Sequence, residues 1–183
     1  MFKKDKTFWM WEREIPKEVC ETIIQRGHKM SGFDAEVGDD GQGRIDHSIR
    51  QSHVRFFRAD QDNWLYHLLW GYMHRANTGA NWNFVVNNQQ EPQFTTYTPD
   101  FFYDFHEDGS YHENGMRKLS LVVFLSNPSD YTGGKFEFED GAEPSTDQGS
   151  LVVFPSFLKH RVCPVEEGTR YSLVSWFTGP AFV

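Results

Sequence analysis

Leu119-Ser120-Leu121-Val122-Val123-Phe124-Leu125 is apolar at odd and even positions alike. A strand of that kind keeps no face for water, so it belongs between two layers and not at a solvent-facing edge. Outward from it, clusters of Gly, Pro, Asn and Asp cut the second half of the chain into further short runs: Gln93 to Tyr97, Phe101 to His106, Lys135 to Phe138, Ser150 to Phe154 and Tyr171 to Thr178. No helical periodicity intervenes. The first half reads differently, as helical segments joined by loops. Pro16 suits the first residue of a helix through Val19, Ile23 and Ile24 that Gly27 stops. Leu65, Leu68, Leu69, Tyr72 and Ala76 then recur at helical spacing after Asp62, which can cap the free amides, with Asn77 and Gly79 as the stop. Ser31 to Gly43, rich in Gly and Asp, reads as a mobile loop. Helices first and strands afterwards predict a mainly β protein, an antiparallel sandwich or jelly roll braced by N-terminal helices.

The 183 residues suffice for one domain with a sizeable core. We expect helical support over about 1–90 and the jelly-roll core over about 91–183. Hydrophobic residues at 38% and aromatics at 16% exclude a disordered chain. A formal charge of -8 speaks against nucleic acid and anionic membranes as partners. Cys20 and Cys163 stand too far apart for a disulfide scaffold or a zinc ribbon, which fits a reducing cytoplasm. Charged residues interrupt Met1 to Pro16 before signal-peptide length, and no stretch approaches the ~20 apolar residues of a membrane span. The expected state is a monomer or homodimer.

His106-Glu107-Asp108 closes one of the expected strands. Residues i and i+2 of a strand share a face, so His106 and Asp108 converge while Glu107 turns away. Two residues alone carry little weight. His160, beyond the run ending at Phe154 and the turn residue Pro155, supplies a third. Two imidazoles and one carboxylate make the facial triad that leaves iron positions open for oxygen chemistry. Farther on, Arg170, Ser172 and Trp176 share one face of the last expected strand. A guanidinium on that inner face needs an anionic partner, because an unpaired charge there is costly. A dicarboxylate would supply it.

Tyr97, Tyr103-Asp104-Phe105-His106-Glu107-Asp108, Gly133-Gly134-Lys135-Phe136 and His160 to Ser172 together carry a resemblance. From about Gln93 to Phe177 the chain resembles the 2-oxoglutarate and Fe(II)-dependent oxygenases, within them the prolyl-hydroxylase-like branch, with an echo in the helix around Trp64 to Asn77. The resemblance implies a double-stranded β-helix with iron held by His106, Asp108 and His160. It places Arg170 on the distal carboxylate of 2-oxoglutarate, with Tyr97 and Ser172 beside it, and Tyr103, Arg117 and Trp176 on the substrate side. O2 would be a co-substrate and ascorbate a reductant. Oxidative decarboxylation to succinate and CO2 would accompany hydroxylation of an unactivated carbon, a prolyl residue in a peptide or protein first, a free amino acid or other small molecule second. The chain departs from its relatives where Phe124 replaces the Tyr of hypoxia-type prolyl hydroxylases and Arg170 the Lys of collagen-type ones.

Other readings stand beside this one. Arg117 as a solvated basic residue and Trp176 as plain core packing remain open. The same metal site could run demethylation or cyclisation, whereas halogenation is disfavoured by Asp108. A non-catalytic jelly-roll binding module is the third reading, and Arg170 counts against it. His67 and His74 could mimic a metal pair, though solvated side chains on a helix explain them better; His112 is a candidate lid residue. Cys163 is expected near the His160 turn without a nucleophilic role. Loops over 31–43 and 126–132 would grip substrate.

Overall fold

The computed structural model describes residues 7–35, 46–109 and 116–181. In chain order the elements are β1 (Trp9–Trp11), α1 (Lys17–His28), β2 (Phe33–Asp34), β3 (Arg50–Gln51), β4 (His53–Phe56), α2 (Ala59–Gly79), β5 (Asn88–Gln89), β6 (Gln93–Tyr97), β7 (Phe102–His106), β8 (Arg117–Phe124), β9 (Tyr131–Gly133), β10 (Phe136–Phe138), β11 (Leu151–Pro155), β12 (His160–Val162), β13 (Val165–Gly168) and β14 (Arg170–Thr178).

The major sheet runs β1-β11-β8-β14-β6-β4-β2, with β5 also pairing β14. Facing it is a four-stranded sheet, β10-β12-β7-β3, and β9 and β13 form a separate ribbon. All of the pairings are antiparallel. β8 is buried from Lys118 onward, as its two-faced sequence requires. Strand alternation then divides its side chains between two cores. Leu119, Leu121 and Val123 join Leu151, Val153, Leu173 and Phe177 against the helices. Val122 and Phe124 join Val152, Phe154, Phe136 and Val162 between the sheets. This second interior is a mainly β jelly roll with helices on the outside of one sheet, as the sequence predicts.

Several details differ from the sequence reading. The first half holds β1 to β5 as well as two helices, and Phe33–Asp34 is a strand within the stretch read as a loop. The later part of that stretch, 36–43, which includes Gly38 to Gly43, lies outside the described residues. Part of 126–132 is likewise a 3-10 turn over Pro128–Asp130 leading into β9. Pro16 precedes α1 as its N-cap, and α1 continues through Gly27 to His28. Gly27 is there for close approach, because a Cβ would lie 2.6 Å from the Phe94 ring. Asp62 does not cap α2. The helix begins at Ala59, Asp62 sits at a kink with φ -129 and ψ 33, and its buried carboxylate pairs with Arg26 of α1. Among the described residues no helix is long and apolar enough to cross a membrane.

Candidate active site

β7 and β12 are neighbours, and their register sets His106 directly across from His160. Asp108 follows β7 by two residues, and one ligand atom from each of the three lies within 4.8 Å of the others. His106 Nε2 is 3.5 Å from Asp108 Oδ1, and His160 Nε2 is 3.6 Å from Oδ2. Among the described residues this is the one group of three or more such side chains placed to hold a metal ion. His67 and His74 are exposed and make no such group; His112 lies outside the described residues.

The protein fixes how these side chains face. His106 Nδ1 is 2.7 Å from the Asp104 carbonyl and His160 Nδ1 is 2.9 Å from the Leu158 carbonyl. A carbonyl only accepts, so each Nδ1 carries the proton and each Nε2 presents its lone pair. Burial pushes His160 down to about 4, so its ring is neutral at physiological pH. Burial alone would raise the Asp108 carboxyl, but the His160 and His106 rings and a hydrogen bond from Ser120 outweigh it and hold it well below the usual carboxylate range. Two nitrogen lone pairs and an anion thus converge on one point, which is the donor set of a ferrous site with open positions.

A one-residue bulge shapes the approach. Arg161 of β12 stands against both Asp104 and Phe105 of β7, so the next register pair is Val162 with Tyr103. The extra residue turns Tyr103, three positions before His106, to the same side as that histidine. The two rings stack with centroids 3.4 Å apart and planes 10° from parallel. Simple alternation would have put them on opposite faces.

Arg170 opens β14 opposite Tyr97 of β6 and is 1% exposed. Its Cζ lies 5.3 Å from the Tyr97 ring centroid and 5.7 Å from that of Phe124. Nε, Nη1 and Nη2 are buried without a hydrogen-bond partner among the described residues. Gly134 makes room for the side chain: a Cβ there would lie 2.9 Å from Arg170 Cδ, on a backbone with φ +59. Ser172, two residues on, shares the inner face with Val174 and Trp176.

A cavity of about 390 Å³, its solvent-open mouth included, joins these parts. Tyr97, Tyr103, His106, Asp108, His160, Arg170, Ser172 and Trp176 all line it. Arg117 does not. Its Nε donates to Gln90 Oε1 at 2.9 Å, its Nη1 donates to the Asp108 carbonyl at 3.0 Å, and its Cζ sits 4.2 Å over the Trp176 ring. It therefore ties the metal-motif loop to the wall of the cavity. Trp176 is neither solvated nor simply packed, because its indole N–H is buried without a partner among the described residues.

Two polar lining residues escaped the sequence reading. Arg50 of β3 donates from Nε to Ser52 Oγ at 2.9 Å and caps Tyr103, its Cζ 4.5 Å from that ring. Gln93 of β6 donates to Thr95 Oγ1 at 2.8 Å. No motif marked Arg50; only the pairing of β3 with β7 brings it to the cavity. Gln93 shares a face with Tyr97 by strand alternation, and that signal was available.

Residues 92–178 match the sequence profile of the 2OG-Fe(II) oxygenase superfamily. A PKHD-type hydroxylase of Synechococcus elongatus is 37% identical over 90 residues, 45% of this chain and 40% of that protein. A PKHD-type hydroxylase of Klebsiella pneumoniae is 37% identical over 93 residues, 46% of this chain and 42% of that protein. The chain thus aligns with about two fifths of the length of these curated relatives. In three dimensions it is similar to a Pseudomonas putida prolyl-4-hydroxylase, with TM-score 0.69, 20% identity, and coverage of 94% of this chain and 92% of that one. It is also similar to a Trichoplax adhaerens prolyl hydroxylase solved with a hypoxia inducible factor peptide fragment, with TM-score 0.76, 15% identity, and coverage of 94% and 83%. The fold is their double-stranded β-helix, and the resemblance drawn from the sequence to prolyl-hydroxylase-like 2-oxoglutarate/Fe(II) oxygenases is borne out.

Proposed function

We propose that this chain is a single-domain 2-oxoglutarate-dependent dioxygenase in which His106, Asp108 and His160 hold Fe(II) and Arg170 receives the distal carboxylate of 2-oxoglutarate. Its reaction is hydroxylation of an unactivated C–H bond, first of all in a prolyl residue of a peptide or protein. The observation that carries this reading is the Arg170 guanidinium, 1% exposed with all three nitrogens unpartnered among the described residues. A buried cation in that state lacks an anion, and a planar carboxylate matches its fork. A binding module would have no use for such a group beside a metal site.

When bound, iron and 2-oxoglutarate supply the oxidant, consuming O2, releasing succinate and CO2 and leaving one oxygen atom on the substrate carbon. The protein's own groups bind, orient and exclude water. The Nδ1–carbonyl hydrogen bonds aim His106 and His160 at the metal. Tyr97, stacked beneath Arg170, and Ser172 border the co-substrate, and the apolar Val122, Val162 and Phe136 keep that end dry. Tyr103 and Trp176 flank the substrate side, and Arg117 holds Trp176 in place.

The test is anaerobic loading with Fe(II) and 2-oxoglutarate, then oxygen, with a panel of proline-containing peptides and free proline. Succinate release matched by the gain of one oxygen on a peptide supports the reading. Oxygen gain on free proline alone moves the substrate to small molecules. No succinate from metal-loaded protein with any substrate rejects the enzyme.

A further inference from the structure

Ser120 of β8 is a hydroxyl within the otherwise apolar run Leu119 to Leu125 and is 0% exposed, as is Ser156, just beyond the end of β11. Buried hydroxyls are costly unless bonded, so their partners matter. Ser120 Oγ donates to Asp108 Oδ2 at 2.7 Å and lies 2.9 Å from Ser156 Oγ. The ionised carboxylate only accepts, which commits the single Ser120 proton to Asp108 and makes Ser156 the donor to Ser120. Ser156 is itself fixed by its backbone. Its N–H donates to the Lys118 carbonyl at 3.0 Å, and its carbonyl accepts from the N–H groups of Asp108 at 2.9 Å and Gly109 at 3.0 Å. One residue thus holds Asp108 by the main chain directly and by the side chain through Ser120.

We infer that Ser156 and Ser120 form a hydroxyl relay that positions Asp108 for the metal, committing Oδ2 to the protein and leaving Oδ1 to the cation. An oxygen that already accepts a strong hydrogen bond is the poorer metal donor, and coordination through one oxygen keeps positions open for other ligands. Both serines are positioning residues. The inference rests on the metal site proposed above.

The experiment uses metal-free full-length protein titrated with Co(II) alone, with affinity from equilibrium dialysis and coordination from the visible absorption spectrum. Ser120→Ala should bind Co(II) roughly 10- to 100-fold more weakly than wild type, with an altered spectrum. Ser156→Ala should shift both in the same direction by less, and Ser120→Thr, which keeps the hydroxyl, should restore both. A folded Ser120→Ala with wild-type affinity and spectrum overturns the relay. If Ser120→Ala fails to fold, Ser156→Ala decides, and wild-type behaviour there overturns it equally. Wild type that takes up no Co(II) instead removes the metal site, and the relay with it.

Discussion

The two ends of the cavity are built on opposite principles. At one end each candidate metal ligand is already held by its own protein: His106 by the Asp104 carbonyl, His160 by the Leu158 carbonyl, and Asp108 by Ser120. At the other, the Arg170 guanidinium touches aromatic rings and has no hydrogen-bond partner among the described residues. The first end is preorganised by the chain, and the second, on the proposed reading, becomes complete only with a ligand. The metal end should thus survive loss of its ligand, whereas the anion end burdens the ligand-free protein.

The largest effect expected is from His160→Ala, which should abolish metal uptake and turnover together, as metal analysis after desalting would read; retained activity would dismantle the triad. Arg170→Ala should weaken 2-oxoglutarate by ~100-fold or more, in line with the loss of charge-assisted bonds worth about 1.5–3 kcal/mol each, while Co(II) affinity stays near wild type. Calorimetric titration of each ligand checks this, and equal loss of both would mean the two ends form one unit. Arg170→Met sharpens the contrast. Replacing buried charge by apolar volume is often neutral or stabilising by about 1–4 kcal/mol, so its ligand-free Tm should match or exceed wild type. The wild type should gain about 2.7 kcal/mol from 2-oxoglutarate at a hundredfold its Kd, and the variant at most about 0.4 kcal/mol at the same concentration.

Next comes pH. The folded His160 lies at about 4 against an ordinary 6.5, so between those values the unfolded chain binds the extra proton. Its contribution is therefore present above pH 6.5 and is lost as pH falls towards 4. Asp108, also lowered, acts with the same sign at still lower pH. Metal-free protein should lose on the order of 3 kcal/mol across that window, read by denaturant titration, and a flat profile would show that the ring is not held neutral. Gly134→Ala should act least, costing about 1–2 kcal/mol for a Cβ at positive φ and weakening 2-oxoglutarate by displacing Arg170. Unchanged co-substrate affinity would mean Arg170 does not need that space.

The legible part of the site was the part carried by regular strands. Alternation along 170–178 placed Arg170, Ser172 and Trp176 on one face, and the length and composition of Gln93 to Tyr97 and Leu119 to Leu125 gave strands that the structure contains. β2, β3 and β5 have two residues each, too short for any period to register, and Arg50 was hidden with them. The bulge at Asp104 and Phe105 has no compositional mark, so Tyr103 reached the cavity by resemblance and not by alternation. Asp62 looked like a cap because a helix start and a buried ion pair both favour a short acid. Ser120 could have been flagged, as a lone hydroxyl inside an apolar run must bond to something.

β14 comes last in chain order yet lies inside the major sheet, between β8 and β6. During synthesis the earlier strands would emerge with a slot between them, and only the later β14 segment could fill it. The buried cation Arg170, proposed above to receive the anion, is the first residue of that segment, opposite Tyr97. Pairings this distant in sequence form slowly. A nascent chain would display two unsatisfied strand edges until the closing piece arrives, the stage at which a chaperone or a neighbouring copy would compete for it.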